Sequence, residues 1–209
     1  MRYFAWIRVA LRMGAVAKNQ IEETKALKAK IDRLETELEV ARIEVARLEG
    51  FADQDPLLPE ILNRRAFVRE MSRIISFADR YEVDAALIYF DLQGFKQVND
   101  AYGHGAGDQV LRRVGLTLRG NVRDSDLVGR LGGDEFAVVL AKADEAAARA
   151  KASDLAQLIG AEDVALEDGS KVRIVASYGV CCFKGKMDPE AAIANADKEM
   201  YAARARLKQ

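Results

Sequence analysis

The stretch Gly132-Gly133-Asp134-Glu135-Phe136 lies between Asp126-Leu127-Val128-Gly129-Arg130-Leu131 and Ala137-Val138-Val139-Leu140, two short β-rich runs. Such runs on either side of a glycine pair predict a β-hairpin turning at the glycines. Glycine lets a backbone approach a ligand where a Cβ would intrude, and the two acids that follow project at the same place. Hard divalent cations and the phosphates they carry are natural guests of such carboxylates. Taken alone, these five residues also fit a plain glycine turn with solvated acids.

Upstream, Ala85-Ala86-Leu87-Ile88-Tyr89-Phe90 reads as a buried strand ending at Asp91, a common place for a metal- or ligand-binding carboxylate. From Leu92 to Asp108 polar residues and glycines alternate without a core period, and a helix is expected over about 107–122. Further helices are expected over about 60–78, 144–159 and 189–207, with strands near Val164 and over 172–183. This order predicts an α+β fold, a sheet with helices on one face.

FDLQGFKQVNDAYGHGAGDQVL followed by RDSDLVGRLGGDEF resembles the GGDEF family of diguanylate cyclases, and the resemblance runs from about Asp55 to Gln209. It implies a nucleotidyl-cyclase-like palm domain, a mainly antiparallel sheet with flanking helices. It also implies condensation of two GTP molecules into cyclic di-GMP with release of two pyrophosphates. By the same resemblance, Asp91, the Leu92 carbonyl and Asp134 hold two Mg²⁺ (or Mn²⁺) ions per active site. Glu135 matches the second acid of the signature, as base or as support for its neighbours. Asn99 and Asp108 match the positions that recognise guanine, and an amide with a carboxylate suits the purine edge. Gly94, Phe95 and Lys96 resemble the triphosphate cradle, with the Lys96 ammonium as a catalytic cation. Gly132 and Gly133 match the close approach to the nucleotide.

In the last helix the family places a phosphate-binding Lys and then an Arg, where this chain has Arg204 and Lys208. The exchange keeps charge and alters the fork geometry. Gln93 stands where an acid is usual, and Gly94 where a larger residue is often found. At the start of the domain the family's Asp-x-Leu-Thr-Gly turn becomes Asp55-Pro56-Leu57-Leu58-Pro59, longer by one residue. Arg123 and Asp126 form an Arg-x-x-Asp at the family's spacing for an inhibitory cyclic di-GMP site. A turn-capping acid beside a solvated arginine is the plainer reading of that pair.

The 209 residues are 50% hydrophobic and 31% charged with a formal net charge of −1, which leaves no basic excess for nucleic acid. The two cysteines, Cys181 and Cys182, are adjacent and read as reduced residues of a cytoplasmic protein. The lone His104 reads as a loop-shaping hydrogen bonder, since no second His or nearby Cys accompanies it.

Residues 1–50 have a different pattern. Leu27, Ile31, Leu34, Leu38, Ala41, Val45 and Leu48 step by four and three, a coiled-coil seam. Ile31, Leu38 and Val45 at a, with Leu34 and Leu48 at d, favour a parallel homodimer. Three of its four g-to-e charge pairs are attractive: Glu23 with Lys28, Lys30 with Glu35, and Glu37 with Arg42, against Glu44 with Glu49. A coil would hold two cyclase domains at high effective concentration. The first eighteen residues, too charged to span a membrane, read as a tip that docks a protein partner or lies on an anionic membrane surface. Residues 51–59 read as a hinge and 60–209 as the catalytic domain. The rival function is a catalytically silent receptor for cyclic di-GMP or GTP that signals through the coil.

Overall fold

The computed structural model describes residues 28, 30, 31, 33–42, 52–161, 163–183 and 185–206. The chain divides into two units, 1–50 and 51–209. In the first, the described residues between 28 and 42 are helical (α1). Ile31, Leu34 and Leu38 are 50%, 53% and 52% exposed, so this apolar stripe is about half open among the described residues. Arg33 and Glu37 pair along the helix at 2.8 Å. The remainder of the expected seam, apart from Ala41, and the whole tip lie outside the described residues.

The second unit is α+β, built on a mixed sheet of order β1-β3-β4-β2-β7. Its strands are β1 (Leu62–Asn63), β2 (Ala85–Gln93), β3 (Leu127–Arg130), β4 (Glu135–Ala141) and β7 (Val175–Cys182). Only the β1–β3 pairing is parallel, and the other three are antiparallel. A separate two-stranded sheet joins β5 (Val164–Ala165) to β6 (Lys171–Val172). The helices are α2 (Arg64–Tyr81), α3 (Phe95–Tyr102), α4 (His104–Gly120), α5 (Glu145–Gly160) and α6 (Pro189–Arg206).

Helices cover both faces of the sheet, not one. Ala86, Ile88, Phe90 and Leu92 of β2 pack with Val110, Leu111 and Val114 of α4 and Ala152 and Leu155 of α5. The alternate residues Ala85, Leu87 and Tyr89 pack with Phe67 and Met71 of α2 and Ala196 and Met200 of α6. Successive strand residues point to opposite faces, so a continuous apolar run such as 85–90 needs cover on both.

Helix α2 starts at Arg64, later than the apolar pattern predicts, because Asn63 caps it by accepting from the Ala66 N–H. The residues before it form a closed turn even without the family's Thr-Gly. The Asp55 carboxylate accepts from the N–H groups of Leu57 and Leu58 at 3.0 and 3.1 Å, and the Asp55 N–H donates to the Ile61 carbonyl. Leu58 and Ile61 are buried beneath that turn. The stretch 92–108 is also more ordered than its composition suggests. It forms α3, anchored by buried Val98, and α4 then begins at His104, ahead of the expected start near 107.

Candidate active site

The cross-strand register assembles the acids. Asp91 on β2 lies directly opposite Glu135 on β4, and the Leu92 N–H donates to the Asp134 carbonyl at 3.3 Å. The hairpin turns between β3 and β4 at the glycines, as the sequence predicts, with the Leu131 N–H closing onto the Glu135 carbonyl. Asp91, Asp134 and Glu135 therefore meet at one end of the central strands. Burial, and then the charges of Asp91 and Glu135, push the Asp134 carboxyl above the usual carboxylate range, while a hydrogen bond to its own backbone N–H and the nearby Arg130 oppose this.

Among the described residues no three His, Cys, Asp or Glu side chains converge as a protein-only metal cage. The donor set is nevertheless suited to Mg²⁺, which takes one or two carboxylates and completes its shell with water and substrate phosphate. Like charges held together in a partly buried place are what a divalent cation relieves.

Neither glycine of the turn has a positive φ. A Cβ on Gly132 would lie 2.4 Å from the Glu135 carboxylate, whereas one on Gly133 would meet nothing within 4 Å. Gly132 thus makes room for Glu135. On the buried side the Tyr89 hydroxyl donates to Glu135, and burial with this contact keeps the phenol protonated well beyond its ordinary range. A further residue fixes the turn. Arg130 donates to the carbonyls of Gly132 and Gly133 at 2.8 to 3.1 Å, and it reaches Asp55 at 3.4 Å. Arg130 and Tyr89 carry no sequence signal, since a strand arginine and a strand tyrosine look like ordinary edge and core residues.

Beyond β2, Gly94 has φ 82° and caps α3 from the left-handed region, which explains glycine at this position. The first turn of α3 presents the N–H groups of Phe95 and Lys96, with the Lys96 side chain exposed. Helices α3 and α4 meet at Gly103, also at φ 82°. Their junction brings Asn99 against Gly107, where a Cβ would lie 2.0 Å from the Asn99 amide oxygen. Asp108 is the next residue of α4 and is half-buried. Gly107 stands at the start of the helix expected over about 107–122, where a glycine gives no sign of close approach.

Helix α6 lies directly on β7. A Cβ on Gly179 would meet the Ala196 carbonyl at 2.0 Å and the Met200 nitrogen at 2.6 Å. One turn after Met200, Arg204 donates to the Asp91 carboxylate at 2.6 Å. Lys208 lies outside the described residues.

The Arg-x-x-Asp pair is elsewhere. Arg123 is exposed and Asp126 is buried. The Asp126 oxygens accept from the backbone N–H groups of Arg123 and Ala141 at 3.0 and 3.1 Å, so this acid is a turn cap. A cavity of about 650 Å³ opens beside it, lined in part by Arg123, Lys142 and Lys151.

A family model described as "Diguanylate cyclase, GGDEF domain" matches residues 52–209. The chain belongs to the GGDEF family. It is 36% identical over 177 residues to the diguanylate cyclase TpbB of Pseudomonas aeruginosa, an alignment covering 84% of this chain and 40% of TpbB. The chain thus spans well under half the length of this relative. The solved GGDEF domain of TpbB superposes with a TM-score of 0.65 at 36% identity, over 73% of this chain and 89% of that one. The coiled coil and GGDEF domain of DgcB from Caulobacter crescentus, solved in complex with c-di-GMP, superposes with a TM-score of 0.77. At 23% identity, over 86% of this chain and 94% of that one, this last likeness concerns the fold.

Proposed function

We propose that the protein is a diguanylate cyclase that works as a homodimer. The observation that carries this reading is the meeting of Asp91, Asp134 and Glu135 at one end of β2 and β4. The strand that bears Asp91 leads directly into the α3 N-terminus, and Asn99 of α3 packs against Gly107 of α4, the residue before Asp108. Guanine would bind Asn99 and Asp108, which offer an amide and a carboxylate to its donor and acceptor edge. The N–H groups at the start of α3 and the Lys96 ammonium would hold the phosphates.

Asp91, Asp134 and the Leu92 carbonyl would hold two divalent cations, which when bound lower the barrier at the reacting phosphate and its leaving group. In each of two steps the 3′-hydroxyl of one GTP attacks the α-phosphorus of the other. A P–O bond forms, the bond to pyrophosphate breaks, and the hydroxyl proton is lost to solvent or to a nearby carboxylate. Glu135, held by Tyr89 and given space by Gly132, keeps the acid cluster in register through both steps.

Each domain supplies one GTP, so two must face each other. The exposed stripe Ile31, Leu34 and Leu38 of α1 is the surface that would bring them together as a parallel coil. DgcB, solved as a coiled coil and GGDEF domain in complex with c-di-GMP, shares the fold on which this arrangement is proposed.

The deciding experiment is incubation of the full chain with GTP and Mg²⁺, followed by chromatography. Cyclic di-GMP and pyrophosphate in a 1:2 ratio, with no product from ATP, are expected. A folded dimer that binds nucleotide and yields no product under these conditions would identify a silent receptor.

A further inference from the structure

Asp91 is the carboxylate that the cyclase reading gives to the cation, and the structure gives it to Arg204. The Nη1–Oδ1 distance is 2.6 Å, with the two side chains 31% and 24% exposed. The pair differs from a solvated surface bridge, because Asp91 also stands among the charges of Asp134 and Glu135, which strengthen the hold on any cation nearby. It is also built into the fold. The backbone of α6 rests against Gly179, which lies opposite Tyr89 on β2, two residues before Asp91. Arg204, four residues beyond buried Met200, shares its face of α6 and emerges over Asp91.

Resting on the cyclase reading, we propose that Arg204 competes with the divalent cation for Asp91, so that the cation enters together with the nucleotide triphosphate rather than ahead of it. A guanidinium and a divalent cation on one partly buried carboxylate repel each other strongly at the effective dielectric of a protein surface. A triphosphate removes the conflict by offering Arg204 a bidentate anionic partner while delivering the cation to the carboxylates. Only the long side chain has to swing, since α6 itself is locked onto the sheet. Arginine suits this exchange better than lysine, because its fork can grip a carboxylate or a phosphate equally well. The accepted substrate is then the preformed metal–nucleotide complex, and free cation alone is a poor ligand.

The test is Mn²⁺ binding to the full-length chain, read by electron paramagnetic resonance with and without a non-hydrolysable GTP analogue. Without nucleotide, Arg204→Gln should bind Mn²⁺ about tenfold more tightly than the wild type, equivalent to ~1.4 kcal/mol. Arg204→Lys, which keeps the charge and loses the fork, should fall between them. Lys198→Gln makes the same charge change on an exposed position of α6 and should match the wild type. With the analogue present, the wild type should rise to the tight level. Equal Mn²⁺ affinity in wild type and Arg204→Gln, or an equal gain in Lys198→Gln, overturns the competition while leaving the cyclase reading intact. Absence of Mn²⁺ binding in the wild type with analogue bound would overturn both.

Discussion

Asp55 and Arg130, remote in sequence, form an ion pair of 3.4 Å with side chains only 10% and 18% exposed. The same Asp55 oxygen closes the turn at Leu57 and Leu58, and the other nitrogens of Arg130 hold the carbonyls of Gly132 and Gly133. The turn that opens the second unit and the turn that carries Asp134 are therefore one hydrogen-bonded assembly. A displacement of Asp55 would thus be felt at the carbonyls of Gly132 and Gly133.

Asp55→Ala should lower stability by about 2–3 kcal/mol, the loss of charge-assisted hydrogen bonds at a poorly exposed site. It should also cut turnover by about tenfold or more, because a small displacement of reacting groups has that effect. Denaturant unfolding and initial rates on one preparation check both. Reduced stability with full turnover would confine Asp55 to the fold.

Asp134→Asn should abolish turnover and leave the dimer intact, and its effect on stability has a definite sign. Burial and neighbouring charge raise the Asp134 carboxyl, so its ionised form opposes folding at neutral pH. In the presence of a chelator the Asn variant should unfold at a higher temperature than the wild type at pH 7. The gain should fade as pH falls through the raised folded value toward about 4, the ordinary carboxylate range. Thermal unfolding at several pH values measures this, and a gain independent of pH would remove electrostatic strain as its cause.

The acids themselves were legible because Asp134 and Glu135 follow a glycine pair between strands and Asp91 ends an apolar run. The unbroken apolar run 85–90 itself requires cover on both faces of the sheet, against the one-face expectation. Helix α3 escaped notice because eight residues with a single buried anchor, Val98, are too short to show a period. Arg130 and Tyr89 could not be found from sequence. Their roles depend on the β2–β4 register and on which carbonyls face inward, and a linear pattern encodes neither.

Gly107→Ala places a methyl group where the Asn99 amide oxygen now lies. The amide must swing away, and guanine loses a partner without any change to the acid cluster. The KM for GTP should rise by about tenfold or more, the scale of one unsatisfied hydrogen bond in a polar site, with a much smaller change in kcat. Discrimination against ATP should weaken in parallel. Steady-state kinetics with both nucleotides reads the effect, and an unaltered KM would place guanine elsewhere.

Leu38→Glu puts a charge in the exposed apolar stripe of α1, where Leu38 is 52% exposed. The second unit should fold normally, while sedimentation shows monomer at concentrations where the wild type is dimeric. Turnover per chain should then depend on protein concentration, because the two GTP-bearing domains must meet by diffusion. A monomer with undiminished, concentration-independent turnover would rule out the coil as dimeriser.

Arg123 and Asp126 should separate when each is replaced. Asp126 is buried and caps two backbone N–H groups, so Asp126→Ala leaves both without a partner and should lower stability by about 2 kcal/mol or more. Its effect on product inhibition would be confounded by that loss. Arg123 is exposed and lines the cavity together with Lys142, Lys151 and the acids Asp126 and Asp154, where its guanidinium could meet a phosphate of cyclic di-GMP. Arg123→Ala should therefore leave stability and initial rate near wild type and raise the product concentration needed for half inhibition by about tenfold, the effect of one charge-assisted phosphate contact. Progress curves with added cyclic di-GMP measure it. An inhibition curve identical to the wild type would mean that the dinucleotide does not use this cavity, and that Asp126 serves the fold alone.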